Sequence, residues 1–304
     1  MTNFTIAMLL AGILLPTQQE PRKKQKKNND GPWNHKIHFA VSRDSLEWKE
    51  VRTPLAEKAS VPDIVQLEQD SPAGKRGTLL VYAVSFEEPV PEYPTRIGVW
   101  SSGDGGKTWS GMKRLGIKGG NLDGRAVDPS IVPLPGGNLR LYFYDMAKRK
   151  PSNRNDPYRV YSAVSRDGVT FTVERGIRFE SAVPMTDPEV IRWKDEWLMF
   201  FAQKGSVGMA RSKDGMEFEL VEGFRIPDGG IPGAIALPDG RVRVYCSTRK
   251  GITSVTLDPE TGKSREDEGV RIRPGVADPA VWQCEDGAYV MMVKRWMSRK
   301  KPGK

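Results

Sequence analysis

Val61-Pro62-Asp63-Ile64-Val65, Asp128-Pro129-Ser130-Ile131-Val132, Asp187-Pro188-Glu189-Val190-Ile191, Ile231-Pro232-Gly233-Ala234-Ile235 and Asp278-Pro279-Ala280-Val281 are five copies of one phrase, a proline opener followed by mainly β-branched residues. The prolines are spaced by 67, 59, 44 and 47 residues, the length of a four-stranded propeller blade with variable loops. After each opener and a turn such as Pro135-Gly136-Gly137-Asn138 comes a second apolar stretch, Leu79 to Val84, Leu139 to Tyr144, Trp197 to Ala202, Val242 to Cys246 and Tyr289 to Val293. These read as inner strand, hairpin, second strand.

A second phrase, Ser-x-Asp followed by Gly or Ser and then an aromatic ring, falls where third and fourth strands belong. It stands at Ser42-Arg43-Asp44 with Trp48, Ser102-Gly103-Asp104 with Trp109, Ser165-Arg166-Asp167 with Phe171, and Ser212-Lys213-Asp214 with Phe218. Asp and Ser side chains can bond turn amides there, and glycine supplies the positive φ. The phase of the two phrases fixes closure: the first Ser-x-Asp turn precedes any opener, and the fifth opener has only its second strand before the basic tail. The fold class is therefore all-β, a five-bladed β-propeller of four-stranded blades in which the N-terminal stretch Lys36 to Val51 completes the last blade and removes the free edge.

The Ser102 to Trp109 segment resembles the Asp-box of sialidases, and the five openers resemble the five-bladed arabinanase, levansucrase and invertase superfamily of glycoside hydrolases, including families 43, 32 and 130, over roughly residues 33 to 293. In family 43 a base Asp, a pKa-modulating Asp and an acid Glu sit near the inner strands of the first three blades. Carried over by position, the resemblance implies Asp63, Asp128 and Glu189 as the catalytic set. The chain departs from the family at Val61, where an Asp of the Asp-Pro form would stand, and at Glu189, which follows its opener Asp by two residues. The invertase-type Asn-Asp-Pro-Asn signature is missing.

Asp128, Asp187 and Asp278 recur in three blades, which fits strand-opening caps as well as chemistry; Asp63 and Glu189 break the repeat and call for another explanation. Two carboxyl groups on one channel suit acid–base hydrolysis, one protonating the leaving oxygen while the other activates water or attacks. Asp187, Asp278, Arg125, Arg192, Arg249 and Tyr144 complete the expected substrate-binding set, the arginines as bidentate partners of hydroxyls or a carboxylate. Their alternative is pairing with the opener carboxylates. Trp100, Trp193 and Trp282 are either sugar platforms or blade-to-blade core. The expected function is that of a glycoside hydrolase acting on a carbohydrate at the channel mouth; the alternative is a non-catalytic carbohydrate- or protein-binding propeller.

Composition narrows the partners. The 304 residues include 31 Gly and 23 Pro, too many breakers for a helical bundle. Two cysteines, Cys246 and Cys284, exclude a disulfide framework, and with only His35 and His38 beside them they offer no zinc spacing, so no metal and no cofactor are expected. Residues 16 to 30 carry +3 and residues 294 to 304 carry +6, so the net charge of +9 lies wholly in the two ends and a specific nucleic-acid partner is not expected. Phe4 to Leu15 is an uncharged apolar stretch, too short to span a bilayer and of the length of a secretory signal core. The expected division is a signal-like segment and basic linker over 1–30, the propeller over 31–296 and a basic tail over 297–304, in a secreted or periplasmic monomer without a membrane span.

Overall fold

The computed structural model describes residues 31–87, 96–120, 126–145 and 157–297. The signal-like segment, Arg125 and the basic tail after Met297 lie outside the described residues. Five antiparallel sheets form five blades. Blade one runs Ala59–Gln66, Leu79–Ser85, Ile97–Ser102 and Lys113–Arg114, and blade two Ala126–Pro133, Leu139–Asp145, Tyr158–Ser165 and Thr170–Val173. Blade three runs Met185–Trp193, Glu196–Gln203, Ser206–Ser212 and Glu219–Leu220, and blade four Pro232–Ala236, Val242–Thr248, Gly251–Leu257 and Ser264–Glu266. Blade five takes Val276–Gln283 and Tyr289–Trp296 from the C-terminal end and His35–Ser42 and Lys49–Glu50 from the N-terminal end. Short extra strands add to blades two, three and five; one of them, Gly116–Lys118, follows blade one in sequence yet pairs in parallel with the outer strand of blade two.

Closure is an eight-residue antiparallel pairing from His35 opposite Trp296 to Ser42 opposite Tyr289. The second strand of blade five extends three residues beyond Val293, so Lys294 and Arg295, counted by charge with the basic end of the sequence, are strand residues: Lys294 pairs with Ile37 and Arg295 with Lys36. Their strand-like alternation continues the apolar pattern of 289–293, and backbone pairing with the N-terminal strand outweighs the local run of charge.

Second strands are buried throughout in blades one and two, because a blade packs on both faces and needs continuous rather than alternating apolar character. The five larger hydrophobic clusters follow that geometry, one between each pair of neighbouring blades. Tyr82, Leu141 and Phe171 sit between blades one and two, Tyr142, Met199 and Phe218 between two and three, and Phe200, Val244 and Leu257 between three and four. Tyr245, Ile252 and Met291 fill the fourth interface, and Ile37, Trp100 and Met292 the fifth.

The Ser-x-Asp turns are knitted by their own side chains. Ser102 Oγ accepts from Gly106 N at 2.8 Å, Asp104 Oδ1 accepts from Thr108 N at 2.9 Å, and Trp109 Nε1 donates to Gly106 O at 3.2 Å. Ser42, Ser165 and Ser212 repeat the first bond at 2.9 Å to Ser45 N, Gly168 N and Gly215 N. A tyrosine on the second strand of one blade then latches the turn of the next. Tyr82 Oη donates to Gly168 O at 2.9 Å, Tyr142 Oη to Gly215 O at 2.8 Å and Tyr245 Oη to Ser45 O at 2.8 Å. The equivalent residues of blades three and five, opposite Glu189 and Ala280, are Phe200 and Met292, which carry no hydroxyl.

Candidate functional site

Each inner strand starts at its opener, and four of the five do so through a bulge. Register slips between Ser60 and Asp63 in blade one, between Thr186 and Glu189 in blade three and between Ala277 and Ala280 in blade five, and a matching slip lies in blade two. The residue before each of these prolines is left-handed: Val61 at φ 51°, Asp128 and Asp187 at 53°, Asp278 at 54°. Proline has no N–H to lose from the ladder, so the slip leaves no orphan donor. Asp tolerates the left-handed region through local hydrogen bonding; a β-branched Val does not, which makes Val61 the strained member of the set. The five openers, with Glu189 beneath them, surround a constriction of the channel of about 10 Å³, room for about one water.

At that level Asp278 is buried and ion-paired, its Oδ2 2.9 Å from Lys294 Nζ. The ammonium also lies 5.0 Å over the Trp296 ring. Asp278 N donates to Ser247 Oγ at 3.0 Å, so this aspartate knits blades four and five. Asp128 and Asp187 are half-buried on the same ring.

One step down the channel, the residue after each proline, Asp63, Ser130, Glu189, Gly233 or Ala280, faces the next blade. Asp63 Oδ2 accepts from Ile131 N at 2.5 Å while its Oδ1 accepts from Ile64 N at 2.7 Å. Ser130 Oγ accepts from Val190 N at 2.9 Å, and Glu189 Oε1 accepts from Ala234 N at 3.1 Å. Gly233 makes no such bond because there is no room for a side chain: a Cβ there would stand 2.1 Å from Pro279 O.

Asp63 and Glu189 are brought together by this arrangement. Both are buried, and both line one cavity of about 200 Å³ that runs from them along the channel to the inner hairpins. Its wall is largely apolar, with Ile131, Val190 and Val281 among its members, and Trp282 beside them. Burial drives the Asp63 carboxyl up to about 7 against the pull of the Ile131 and Ile64 amides. Burial, then repulsion from Asp63, holds Glu189 well above the usual carboxylate range against its one amide partner. Such a pair titrates as a unit.

The remaining expected residues are spread out. Arg192 lines the same cavity but at its hairpin end, exposed, its guanidinium 5.6 Å over the Trp197 ring. Arg249 is exposed in the turn between second and third strands of blade four, which antiparallel geometry puts at the opener end. Tyr144 is buried between blades one and two with Val84 and Val127, its ring stacked on Tyr158 at 6.3 Å. Trp100 and Trp193 are core residues, whereas Trp282 reaches the cavity. Cys246 and Cys284 are free thiols. Among the described residues no group of three or more His, Cys, Asp or Glu side chains is arranged to hold a metal ion. Sequence reasoning missed Lys294, whose partner Asp278 was in view, and Ser130, whose match in offset to Asp63 and Glu189 was the available signal.

No protein-family model and no curated protein matches the sequence. Among solved structures, the chain is similar to a thermostable family-43 glycoside hydrolase, with a TM-score of 0.60, 13% identity and coverage of 79% of this chain and 88% of that one. It is similar to the α-L-arabinofuranosidase Arb93A of Fusarium graminearum in complex with an iminosugar inhibitor, with a TM-score of 0.54, 15% identity and coverage of 83% and 82%. A family-117 glycoside hydrolase of the marine bacterium Zobellia galactanivorans gives 0.53, 12%, 87% and 91%. At such identities the shared property is the fold: this chain is a five-bladed β-propeller whose solved structural neighbours include glycoside hydrolases.

Proposed function

We propose that the protein is a glycoside hydrolase whose acid–base pair is Glu189 and Asp63. The observation that carries the reading is that these two carboxyl groups, from blades three and one, line one cavity in which burial raises both and Asp63 further raises Glu189. Glu189 keeps its proton and delivers it to the leaving oxygen; Asp63, ionising near 7, takes a proton from water on the other side. Asp128, on the ring just above, sets the field around the pair. The substrate class is carbohydrate. The cavity, at about 200 Å³, falls below the roughly 300–1,000 Å³ of drug-sized ligand sites and suits a single sugar ring.

A second reading, a carbohydrate-binding propeller without turnover, is favoured by the amide bonds of both carboxylates, which match the bond of Ser130. Turnover of aryl glycosides separates the two. Glu189→Gln should lower turnover by about 10² or more and be partly rescued by a better leaving group, and Asp63→Asn should lower it without rescue. Binding of the sugar by the wild-type chain with no hydrolysis across a broad panel would establish the second reading instead. We also read the chain as exported, on the strength of its 4–15 segment. Among the described residues no helix is long and apolar enough to cross a membrane. Recovery of the chain from the culture medium or periplasm, shortened at its N-terminus, checks this.

A further inference from the structure

Two features of the channel bear on which end the ligand uses. The opener end narrows, at the ring of five prolines, to about 10 Å³, enough for about one water and far too little for a sugar ring. Asp63 lies past that ring, and Glu189 spans it, lining both the constriction and the cavity below. In the other direction the cavity is bounded by the last residues of the inner strands and the first of their hairpins. Glu68, Arg192 and Ala236 there are exposed and Gln283 is half-buried, so the wall that lines the cavity is at the same time surface. Polar groups sit at the floor, in Asp63 and Glu189, and at the rim, in Glu68, Arg192 and Gln283, while the wall between is aliphatic with Trp282 set into it. That gradient suits a ring that presents a C–H face to Trp282 and the aliphatic wall and its hydroxyls to the two ends.

We infer that the Asp63–Glu189 pair is served from the inner-hairpin end of the channel, by a sugar that inserts one terminal ring between the rim of Glu68, Arg192 and Gln283 and the carboxylate floor, and not through the opener end. The inference rests on the proposed hydrolase reading for the identity of the ligand and on geometry alone for the route. A chain end is accepted and the middle of a chain is not, because the constriction blocks exit past the prolines. Products leave by the way substrates enter.

Access can be measured without turnover. A water-soluble carbodiimide with an excess amine converts a reachable carboxylic acid into an amide, and mass spectrometry maps the modified residue. In a Cys284→Ser background, Ala236→Cys places a thiol at the hairpin-end rim and Ile231→Cys places one at the opener ring; each is then capped with a bulky maleimide. The expected result is that Glu189 is modified in the uncapped protein, that the cap on the Ala236→Cys variant abolishes the modification, and that the cap on Ile231→Cys leaves it intact. The inference is overturned if the cap on Ile231→Cys is the one that protects, if the Ala236→Cys cap has no effect, or if Glu189 resists the reagent in the uncapped protein. Because the readout needs no catalysis, absence of turnover on every glycoside would count against the hydrolase reading and leave the route decided either way. Circular dichroism of each capped protein confirms that the fold is intact.

Discussion

From blade one to blade four the inner ring is joined by side-chain acceptors, Asp63, Ser130 and Glu189, each taking the amide of the following blade. From blade four through five and back to one the same position is Gly233, where backbone stands against backbone, and then Ala280. A serine is enough to join blades two and three, and between four and five the position after the proline carries no side chain at all, the Asp278 amide being taken instead by the Ser247 hydroxyl. The architecture therefore does not require a carboxylate at either Asp63 or Glu189. That two buried acids stand where a hydroxyl or a hydrogen would serve supports the proposed acid–base role, and the half of the ring that lacks them marks what the fold alone needs.

The largest effect is expected from the seam. Excising residues 35–50 removes two strands of blade five and bares the edge of Tyr289–Trp296; the variant should aggregate or lose its cooperative melting transition. A variant that melts like the parent would show that the two halves of the ring are not tied as described. Next comes Gly233→Ala, which drives a methyl into Pro279 O and should lower stability by about 1–3 kcal/mol by urea titration. Ala280→Gly, at the equivalent place one blade on, should be felt less.

The acceptor half is probed by pH. Asp63 has its folded-state pKa raised from 3.8 to about 7, so the native state holds a proton that the unfolded chain gives up earlier. Its stabilising contribution is full below the unfolded value and is lost as pH rises through about 7; Glu189, raised by burial and by Asp63, acts in the same direction. The urea midpoint of the wild-type chain should accordingly fall between about pH 4 and about pH 7, and Asp63→Asn should flatten part of that fall. Both oxygens of Asp63 accept amides, so the Asn NH2 faces a donor and the variant should also be less stable at low pH by about 1–3 kcal/mol. Glu189→Gln, with one amide partner to satisfy, should melt near the parent temperature. Equal destabilisation by the two would erase the distinction.

The smallest effect belongs to the outer latches. Tyr82→Phe, Tyr142→Phe and Tyr245→Phe should each lose about 0.5–1.5 kcal/mol, while Phe200→Tyr should gain nothing, because blade four offers the turn Asp258-Pro259-Glu260-Thr261-Gly262 in place of the Ser-x-Asp phrase.

The blades, their number and their closure could be read from sequence because they are repeats: a motif seen five times with a phase offset fixes topology even when each copy is weak. The candidate pair was legible for the converse reason, as exceptions to the repeat at Asp63 and Glu189. What stayed hidden depends on direction within a blade. Arg192 and Arg249 both stand near strand ends, but strand length decides which end of the channel receives each, and the two are at opposite ends. Lys294 looked like part of a basic terminus because charge is counted along the chain, whereas its partner Asp278 is reached across the sheet. The tyrosine latches need the offset between neighbouring blades, which no single repeat contains.

The pairing of His35 with Trp296 joins the first described strand to the last. On a ribosome the N-terminal strand emerges early and must wait, unpaired, through the synthesis of the four blades that follow. Blades one to four can assemble in order from contacts local to each repeat, but the ring is cooperative only after the final strand is released. Closure is thus the step with the greatest loop entropy and the natural candidate for the slow phase of folding. Until it occurs, two apolar strands stand with open edges, and it is in that interval, rather than in the finished propeller, that the chain is most exposed to aggregation and to proteases.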